Sequence, residues 1–350
     1  MNHKATLKDI AKACGVSVTA VSLVLNNRPT RMSAEKRELI AKTAKQLHYV
    51  PNQAARSLAT NQSMLLALLI PDIENMFFAS LSKALEDISN ASGYSLLIAN
   101  SDDSWKAEHR LLRQFASRGV DGLFLIPSRE SVKDSSKLRQ DVEGLDFPVV
   151  ITDRLVSDNW CDAVGTDNFI GGKLAAQRLI AEGHRRIACV SGDTRTGNDN
   201  RRMAGFHAGL EEAGLQLEPE LNVVGNYRFD GGYHAADRIL DANATAVFCG
   251  NDLMALGFIR RLEERGLSCP KDCSVIGYDN ISERFGFNHA LSTVDQNITA
   301  VAKACHDLIS THLGPRKANA DSKPWIEAPK QRLIKPKLVD RSTVSSVPAL

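Results

Sequence analysis

Aspartate, asparagine, serine and arginine side chains recur directly after apolar runs of the sequence, where predicted β-strands end. Such side chains donate and accept hydrogen bonds, and a convergent set of them can bind the vicinal hydroxyl groups of a sugar or polyol. Phe77 or Phe78 offers an apolar face for a sugar ring. Each polar residue taken alone fits a helix cap or a turn better, so only their convergence on one rim indicates a binding site. The candidates are Asp72, Asn75, Asp102, Ser128, Asp153, Arg154, Arg202, Asn251, Asp252 and Asp279.

Apolar runs that precede helical stretches would position these side chains. The first run covers residues 65–70, and helical periodicity follows through Phe77 and Ile88. The alternation of strand and helix predicts parallel sheets with helices on both faces. Near residue 163 the chain passes from one strand–helix series to another, which predicts a two-lobed α/β core with a ligand cleft at the carboxyl ends of the strands. The predicted strands lie near residues 65–70, 95–99, 122–126, 148–152, 186–191, 245–249 and 273–277.

The motifs of the common enzyme classes are missing from this pattern. The sequence has no Gly-x-Gly-x-x-Gly after a strand, no phosphate-binding loop and no Gly-x-Ser-x-Gly. Its nine histidines and seven scattered cysteines show no spacing typical of metal ligands. We therefore expect a protein that is not an enzyme and that uses neither a cofactor nor a metal.

Composition and the N-terminus indicate a cytoplasmic protein with no membrane partner. The hydrophobic content of 43% and the charged content of 24% are ordinary for a soluble globular protein. No run approaches the roughly 18 apolar residues that a membrane helix needs. The chain begins Met1-Asn2-His3-Lys4, without the apolar core of a signal peptide. An odd number of scattered cysteines fits reduced, buried thiols.

Positive charge is concentrated at the N-terminal end. Residues 1–62 contain ten Lys and Arg against three Asp and Glu, although the net charge of the whole chain is only +2. The rest of the chain is therefore acidic overall. A basic end on an acidic body is what a nucleic-acid contact confined to that end requires, and a solvated helical surface is the alternative.

Helix signals in this basic segment predict three short helices. Thr6, with Asp9 three residues later, can cap the first helix, and Gly15 suits the turn that ends it. Ser17 can cap the second helix and Ser33 the third. Two short helices joined by a tight turn, with a third packed behind them, describe a helix-turn-helix, and a structural three-helix bundle is the alternative.

Two motifs decide between these alternatives. Residues 6–26 read Thr-Leu-Lys-Asp-Ile-Ala-Lys-Ala-Cys-Gly-Val-Ser-Val-Thr-Ala-Val-Ser-Leu-Val-Leu-Asn, and residues 49–59 read Tyr-Val-Pro-Asn-Gln-Ala-Ala-Arg-Ser-Leu-Ala. At this separation they resemble the headpiece and the hinge of the lac repressor (LacI/GalR) family. The resemblance implies that the second helix enters the major groove, where Val18, Thr19 and Leu23 meet base edges. The DNA contacts that it implies are Thr6, Ser17, Val18, Thr19, Ser22, Leu23, Asn26, Tyr49, Asn52, Ala55, Arg56 and Leu58.

Two of these positions carry further expectations. The family often has Arg where this chain has Leu23, and an apolar side chain there suits a thymine methyl group, which leaves the operator sequence open. The hinge helix from Pro51 is marginal alone and is expected to form against its dimer mate in the minor groove. There Leu58 would wedge into a central base step and kink the DNA.

The resemblance extends more diffusely over about residues 6–343. Blocks such as Arg-Met-Ala-Gly-Phe from Arg202, Cys-Gly-Asn-Asp ending at Asp252 and Thr-Val-Asp-Gln ending at Gln296 resemble family blocks. It implies that the effector contacts include Arg202, Asn251, Asp279 and Gln296, with Tyr227 or Phe78 stacking on the ligand. The positions after strands and the resemblance together predict these effector-site residues: Asp72, Asn75, Phe78, Ser128, Asp153, Arg154, Arg202, Tyr227, Asn251, Asp279 and Gln296.

The expected organisation is an all-α helix-turn-helix headpiece followed by a two-lobed periplasmic-binding-protein-like α/β core. The headpiece would span residues 1–48, the hinge helix and linker 49–62, and a short tail 344–350. The effector-binding and dimerisation core would span 63–343. Its lobes are expected to comprise about 63–163 with 292–325, and about 164–291 with 326–343.

The function that follows is a transcriptional regulator, in particular a repressor of a carbohydrate-utilisation operon. It would bind a palindromic operator in double-stranded DNA as a homodimer, because the C-terminus lacks the leucine heptad of the family's tetramers. A sugar, sugar acid or polyol in the cleft would control it. The alternatives are a purine or nucleoside effector, and a free sugar-binding protein, which the basic headpiece disfavours.

Overall fold

The computed structural model describes residues 5–26, 28–50, 57, 60–192, 197–282, 284–286, 290–314 and 323–347, with only the backbone of 197–199. The chain divides into two compact units, Met1–Ser63 and Met64–Leu350. We refer to the first as the headpiece and to the second as the core, and each is described by itself.

Among the described residues of the headpiece, three helices pack around a small apolar centre. They are α1 (Leu7–Cys14), α2 (Val18–Leu25) and α3 (Ala34–Gln46). Ser17 caps α2 by accepting a hydrogen bond from the amide of Ala20 at 3.2 Å, and Gly15 turns the chain with a φ of +65°. Ile10, Val21 and Ile40, one from each helix, are fully buried against one another. The predicted caps at Thr6, Ser17 and Ser33 are thus where the three helices begin.

The core alternates strands with helices. Its helices are α4 (Met76–Ala91), α5 (Trp105–Arg118), α6 (Arg129–Lys133), α7 (Ser136–Glu143), α8 (Asn168–Ala181), α9 (Gly197–Glu211), α10 (Phe229–Asp241), α11 (Asp252–Glu264), α12 (Ile298–Ser310) and α13 (Pro324–Glu327). Its strands are β1 (Leu65–Ile70), β2 (Ser95–Asn100), β3 (Gly122–Leu125), β4 (Val149–Thr152), β5 (Ala163–Thr166), β6 (Ile187–Ser191), β7 (Asn222–Val224), β8 (Ala246–Cys249), β9 (Ser274–Tyr278), β10 (Ser292–Asp295), β11 (Gln331–Ile334) and β12 (Lys337–Val339).

Two six-stranded sheets define the two lobes. The N-lobe sheet has the order β11-β5-β4-β3-β1-β2 and is parallel throughout. The C-lobe sheet has the order β12-β10-β9-β8-β6-β7, and only β12 runs antiparallel to its neighbour. Parallel order requires helices on both faces of each sheet, as the sequence predicts. In β1, Leu66 and Leu68 pack in one apolar layer while Ala67 and Leu69 pack in the other.

Within the part of the chain that the structure describes, the backbone crosses between the lobes three times, and these crossings correct the expected lobe boundaries. Because β5 pairs with β4 in the N-lobe sheet, the first crossover is at 166–168. Strand β10 pairs with β9 in the C-lobe sheet, so the second crossover is at 295–298 and not at 292. Strand β11 returns to β5 before β12 joins the C-lobe, which places the third at 334–337. These strands of three or four residues are too short to show a clear sequence pattern.

The expectation of a separate tail from residue 344 is also wrong as far as residue 347. Val344 is buried in the C-lobe core. The carbonyl of Ser345 lies 3.0 Å from Nε2 of His184, and the amide of Val347 donates to the carbonyl of Glu182 at 3.0 Å. Burial lowers the pKa of His184 below its usual value. This stretch therefore packs along the amino-terminal edge of the C-lobe sheet.

In the described ranges, no helix combines the length and the apolar character needed to cross a membrane. All seven cysteines fall in those ranges as free thiols, and every one except the half-buried Cys269 is buried.

Candidate functional site

The exposed face of α2 is the candidate DNA-reading surface. Ser17, Val18 and Thr19 are exposed at the start of this helix, and Asn26 is exposed at its end. Half-buried Ser22 and Leu23 lie one turn after Val18 and Thr19, while Val21 faces the headpiece core. These positions follow one another at helical spacing, so their side chains form a single stripe. The first amides of a helix have no partner within that helix, so the start of α2 suits a phosphate oxygen.

The other predicted DNA contacts lie outside α2. Thr6 is exposed at the start of α1, where its amide donates to Asp9 at 2.8 Å. Tyr49 is half-buried against the headpiece core. The remaining predicted contacts, Asn52, Ala55, Arg56 and Leu58, fall outside the described residues.

The core contains a cavity of about 380 Å³ between its two lobes. It lies beyond the carboxyl ends of strands from both sheets, where parallel α/β folds place ligands. Ten of the eleven predicted effector residues line it: Asp72, Asn75, Phe78, Asp153, Arg154, Arg202, Tyr227, Asn251, Asp279 and Gln296. Five further lining residues are not predicted from the sequence: Pro71, Asp103, Arg129, Asn226 and Arg228. Asp102, expected at the rim, and Phe77, expected only as an alternative to Phe78, also line it.

Ser128 does not line the cavity. Its side chain is completely buried at the start of α6, where its hydroxyl accepts a hydrogen bond from the amide of Ser131 at 3.3 Å. Its own amide donates to the carboxylate of Glu108 at 2.6 Å. Burial raises the pKa of Glu108 to about 6. Ser128 is therefore a helix cap in this structure, and the next residue, Arg129, reaches the cavity instead.

The floor of the cavity belongs to the C-lobe and is deeply buried. Arg202, on α9, is 5% exposed and Asn251 is 2% exposed. The guanidinium carbon of Arg202 lies 3.5 Å from the centre of the Tyr278 ring, a cation–π contact. Asn251 caps α11 through the amide of Met254 and donates to the carbonyl of Tyr227 at 2.9 Å. Asn251 thus fixes the Tyr227 backbone, whose φ is +63°.

Asp279 and Gln296 complete the floor. Nε2 of Gln296 donates to Oδ1 of Asp279 at 2.6 Å. Burial raises the pKa of Asp279 well above its usual value; nearby Arg202 opposes this shift and Asp252 adds to it. Oε1 of Gln296 is buried and has no hydrogen-bond partner among the described residues. A buried acceptor without a partner is costly, so this oxygen suits a ligand N–H or O–H.

The wall on the N-lobe side is more open and carries ion pairs. Arg154 pairs with Asp103 at 2.6 Å, and its guanidinium carbon lies 5.6 Å from the Phe78 ring centre. Arg228, from the C-lobe, reaches across to Asp72 and Glu74 of the N-lobe at 2.8 Å each. These arginines already have carboxylate partners. The cavity therefore suits a neutral polar molecule better than a phosphorylated one.

Comparison with known families identifies both units. Residues 6–52 match the model of bacterial regulatory proteins of the lacI family. Residues 176–344 match the model of a periplasmic binding protein-like domain. Both matches agree with the helix-turn-helix headpiece and the two-lobed core.

Individual proteins extend the likeness over the whole chain. A protein of Erwinia tasmaniensis, HTH-type transcriptional repressor PurR, is 35% identical over 348 residues, which is 98% of each chain. A complex of the transcriptional regulator CelR with cellobiose is 26% identical over 97% of this chain and 100% of that one, with a TM-score of 0.69. The lac repressor dimer bound to operator and the anti-inducer ONPF has the same fold, at 24% identity over 98% and 100% of the chains and a TM-score of 0.82. This protein belongs to the LacI family of bacterial regulatory proteins.

Proposed function

We propose that the protein is a transcriptional repressor that binds operator DNA through α2 and is controlled by a small molecule in the core cavity. The observation that carries the DNA-binding part is the exposed stripe on α2, within a segment of ten basic and three acidic residues. Val18, Thr19 and Leu23 would meet base edges, whereas Ser17 and Ser22 would contact phosphates. The protein would act as a dimer on a palindromic site, since a two-fold axis in the protein matches one in the DNA.

The observation that carries the effector part is that Gln296 lines the cavity and that its buried Oε1 has no hydrogen-bond partner among the described residues. Beside it, Asp279 and Arg202 offer further hydrogen-bonding atoms, while Phe78 and Tyr227 offer aromatic faces on the two sides of the cavity. A flat heterocycle with N–H and C=O groups on its edge meets both requirements. Because Arg154 and Arg228 are already paired with carboxylates in the cavity walls, we expect the ligand to be neutral.

A purine is the effector class that we propose, in place of the carbohydrate expected from the sequence. The full-length identity of 35% to a transcriptional repressor named PurR supports this choice. A carbohydrate is the second candidate, because Asp72, Asn75 and Asp153 line the same cavity and suit hydroxyl groups. The identity of 26% to the CelR–cellobiose complex supports it more weakly.

Thermal-shift screening followed by calorimetry separates the two candidates. The panel would contain adenine, guanine, hypoxanthine, their nucleosides, ribose and cellobiose. We expect a purine to raise the melting temperature and to bind at one site per chain, because a ligand of the folded state stabilises it by mass action. Stabilisation by a sugar and by no purine would overturn the purine assignment.

The DNA-binding part has its own test. In vitro selection from random duplexes with the full-length protein would yield its operator. We expect a palindromic site whose affinity falls steeply with salt, because basic side chains release counterions from the phosphates. Thr19→Ala should weaken binding to that site and relax its sequence preference, whereas Thr311→Ala, a change in the core, should do neither. Selection of no common sequence would contradict the proposal.

A further inference from the structure

We propose that Asn168 is a positioning residue for the effector site: it fixes Arg202 and links it to the first crossover between the lobes. Asn168 does not line the cavity. It is the first residue of α8 and is only 2% exposed. The inference deepens the proposed function and rests on it, because it assigns Arg202 a ligand-binding role.

A single oxygen of Asn168 organises the guanidinium of Arg202. Oδ1 of Asn168 accepts hydrogen bonds from Nε and Nη2 of Arg202 at 3.1 and 2.8 Å. The hydroxyl of Tyr278, whose ring lies under the guanidinium, donates to the same oxygen at 3.0 Å. Nη1 of Arg202 donates to the carbonyl of Gly250. A planar guanidinium that is held along two edges and on one face can adopt only one orientation. This set of contacts therefore fixes the orientation of the Arg202 guanidinium.

Two glycines allow Asn168 to come this close. A Cβ on Gly172 would lie 1.9 Å from the carbonyl oxygen of Arg202, and one on Gly171 would lie 2.1 Å from the Tyr278 hydroxyl. Any side chain at either position would push α8 away from α9 or from β9. The start of α8 is therefore built for contact with Arg202 and Tyr278.

The same asparagine also reaches the hinge between the lobes. Its Nδ2 donates to the carbonyl of Thr166 at 3.3 Å, at the end of β5 in the first crossover. The hydroxyl of Thr166 donates to the backbone carbonyl of Gln296, in the second crossover, at 3.3 Å. Gln296 in turn bonds to Asp279. Two of the floor residues, Arg202 and Asp279, are thus each one side chain away from a crossover.

The contacts of Asn168 also bear on the control of DNA binding. A ligand that engages Arg202 and Asp279 bears on two segments that set the angle between the lobes. Such contacts can change operator affinity only if they differ between two arrangements of the lobes. Removing Asn168 would free the Arg202 guanidinium and disconnect it from the first crossover. We therefore expect both weaker ligand binding and a weaker effect of bound ligand on operator affinity.

Three variants of the full-length protein test this role. Asn168→Ala removes the acceptor, and Asn168→Asp restores it at the same position. Asp167→Ala is the matched control: Asp167 caps the same helix by accepting from the amide of Ile170 at 3.2 Å, but it does not contact Arg202. If Asn168 served only to start α8, Asp167→Ala and Asn168→Ala would have the same effect on hydrogen exchange at Arg202 and on ligand affinity.

The first measurement needs no ligand. In protein labelled with ¹⁵N-arginine, the Nε–H of Arg202, assigned by its loss in Arg202→Lys, should exchange slowly with solvent in the wild type and in Asn168→Asp. It should exchange at least about tenfold faster in Asn168→Ala, because its buried acceptor has gone. Equal protection in Asn168→Ala and in the wild type would overturn the positioning role.

The second measurement uses the purine that the wild type binds best. We expect calorimetry to give at least about tenfold weaker binding for Asn168→Ala, near wild-type binding for Asn168→Asp, and unchanged binding for Asp167→Ala even if its melting temperature falls. Wild-type affinity in Asn168→Ala would overturn the inference. If no purine binds the wild type, the proposed effector class fails, and the exchange of the Arg202 Nε–H still decides the role of Asn168.

Discussion

The two sides of the cavity are built differently. On the C-lobe side, Arg202, Asn251 and Asp279 are at most 5% exposed and are held by hydrogen bonds to other buried groups. On the N-lobe side, Asp72 and Arg154 are half-buried and are held by ion pairs. Buried hydrogen bonds to charged groups contribute more than exposed ion pairs do. We therefore propose that the C-lobe floor contributes most to ligand recognition and that the N-lobe wall contributes less.

Removal of Arg202 should have the largest effect. We expect Arg202→Ala to weaken purine binding by about 100-fold, or about 3 kcal/mol, because it removes a buried charged donor and leaves its acceptors unpaired. Calorimetry measures this loss. The neighbouring Arg201→Ala serves as the control, since the Arg201 side chain is 61% exposed. Equal affinities for the two variants would show that the buried floor is not the recognition surface.

Buried Glu108 bonds to Ser128 and Ser131 at the start of α6 in the N-lobe, and the stability that it contributes should depend on pH. Burial raises the pKa of Glu108 from 4.5 to about 6, so the stabilisation gained from its proton is complete below pH 4.5 and is lost as the pH rises through 6. Relative to Glu108→Gln, the wild type should lose about 2 kcal/mol of unfolding free energy between about pH 4 and pH 7. Urea denaturation at a series of pH values measures it. A difference that stays constant with pH would contradict the assignment.

A smaller effect is expected at Asp279, where charge matters less than shape. Because burial raises the pKa of this carboxyl, a neutral amide should replace it well. We expect Asp279→Asn to bind the purine within about threefold of the wild type, and Asp279→Ala to bind about tenfold more weakly. Calorimetry on the two variants gives the ratio. Weaker binding by the asparagine variant than by the alanine variant would mean that the ligand needs a charged carboxylate.

The smallest effect should come from the bridge across the cleft mouth. Arg228 is exposed where it pairs with Asp72 and Glu74, and exposed ion pairs contribute little. Arg228→Ala should change purine affinity by less than about threefold at low salt and not measurably at high salt. Calorimetry at two salt concentrations checks this. A loss as large as that of Arg202→Ala would remove the distinction between floor and wall.

Much of the fold follows from local sequence signals. The caps at Thr6, Ser17 and Ser33 and the apolar runs of the longer strands are set by neighbouring residues, so the sequence predicts them. The three crossovers depend on which sheet the short strands β5, β10 and β11 join. That choice depends on contacts distant in the sequence, and residues 163–166 carry no pattern that reveals it.

The candidate site shows the same limit. Residues directly after strands, such as Asp72 and Asp153, were predicted because the carboxyl ends of parallel strands meet. Ser128 obeys the same rule, yet its side chain is buried and caps α6 through the amide of Ser131. Arg228 and Arg129 reach the cavity from the starts of helices on opposite lobes, and Asn168 acts from behind Arg202. Only the packing of helices against each other reveals these three residues.

Titration of the selected operator in the absence and presence of saturating ligand tests the central claim most directly. Fluorescence anisotropy on the full-length protein would give the operator Kd in both states. We predict that the purine shifts this Kd at least about fivefold in the wild type and not in Arg202→Ala. An operator Kd that no cavity ligand changes, whether purine or sugar, would contradict control of DNA binding through this cavity.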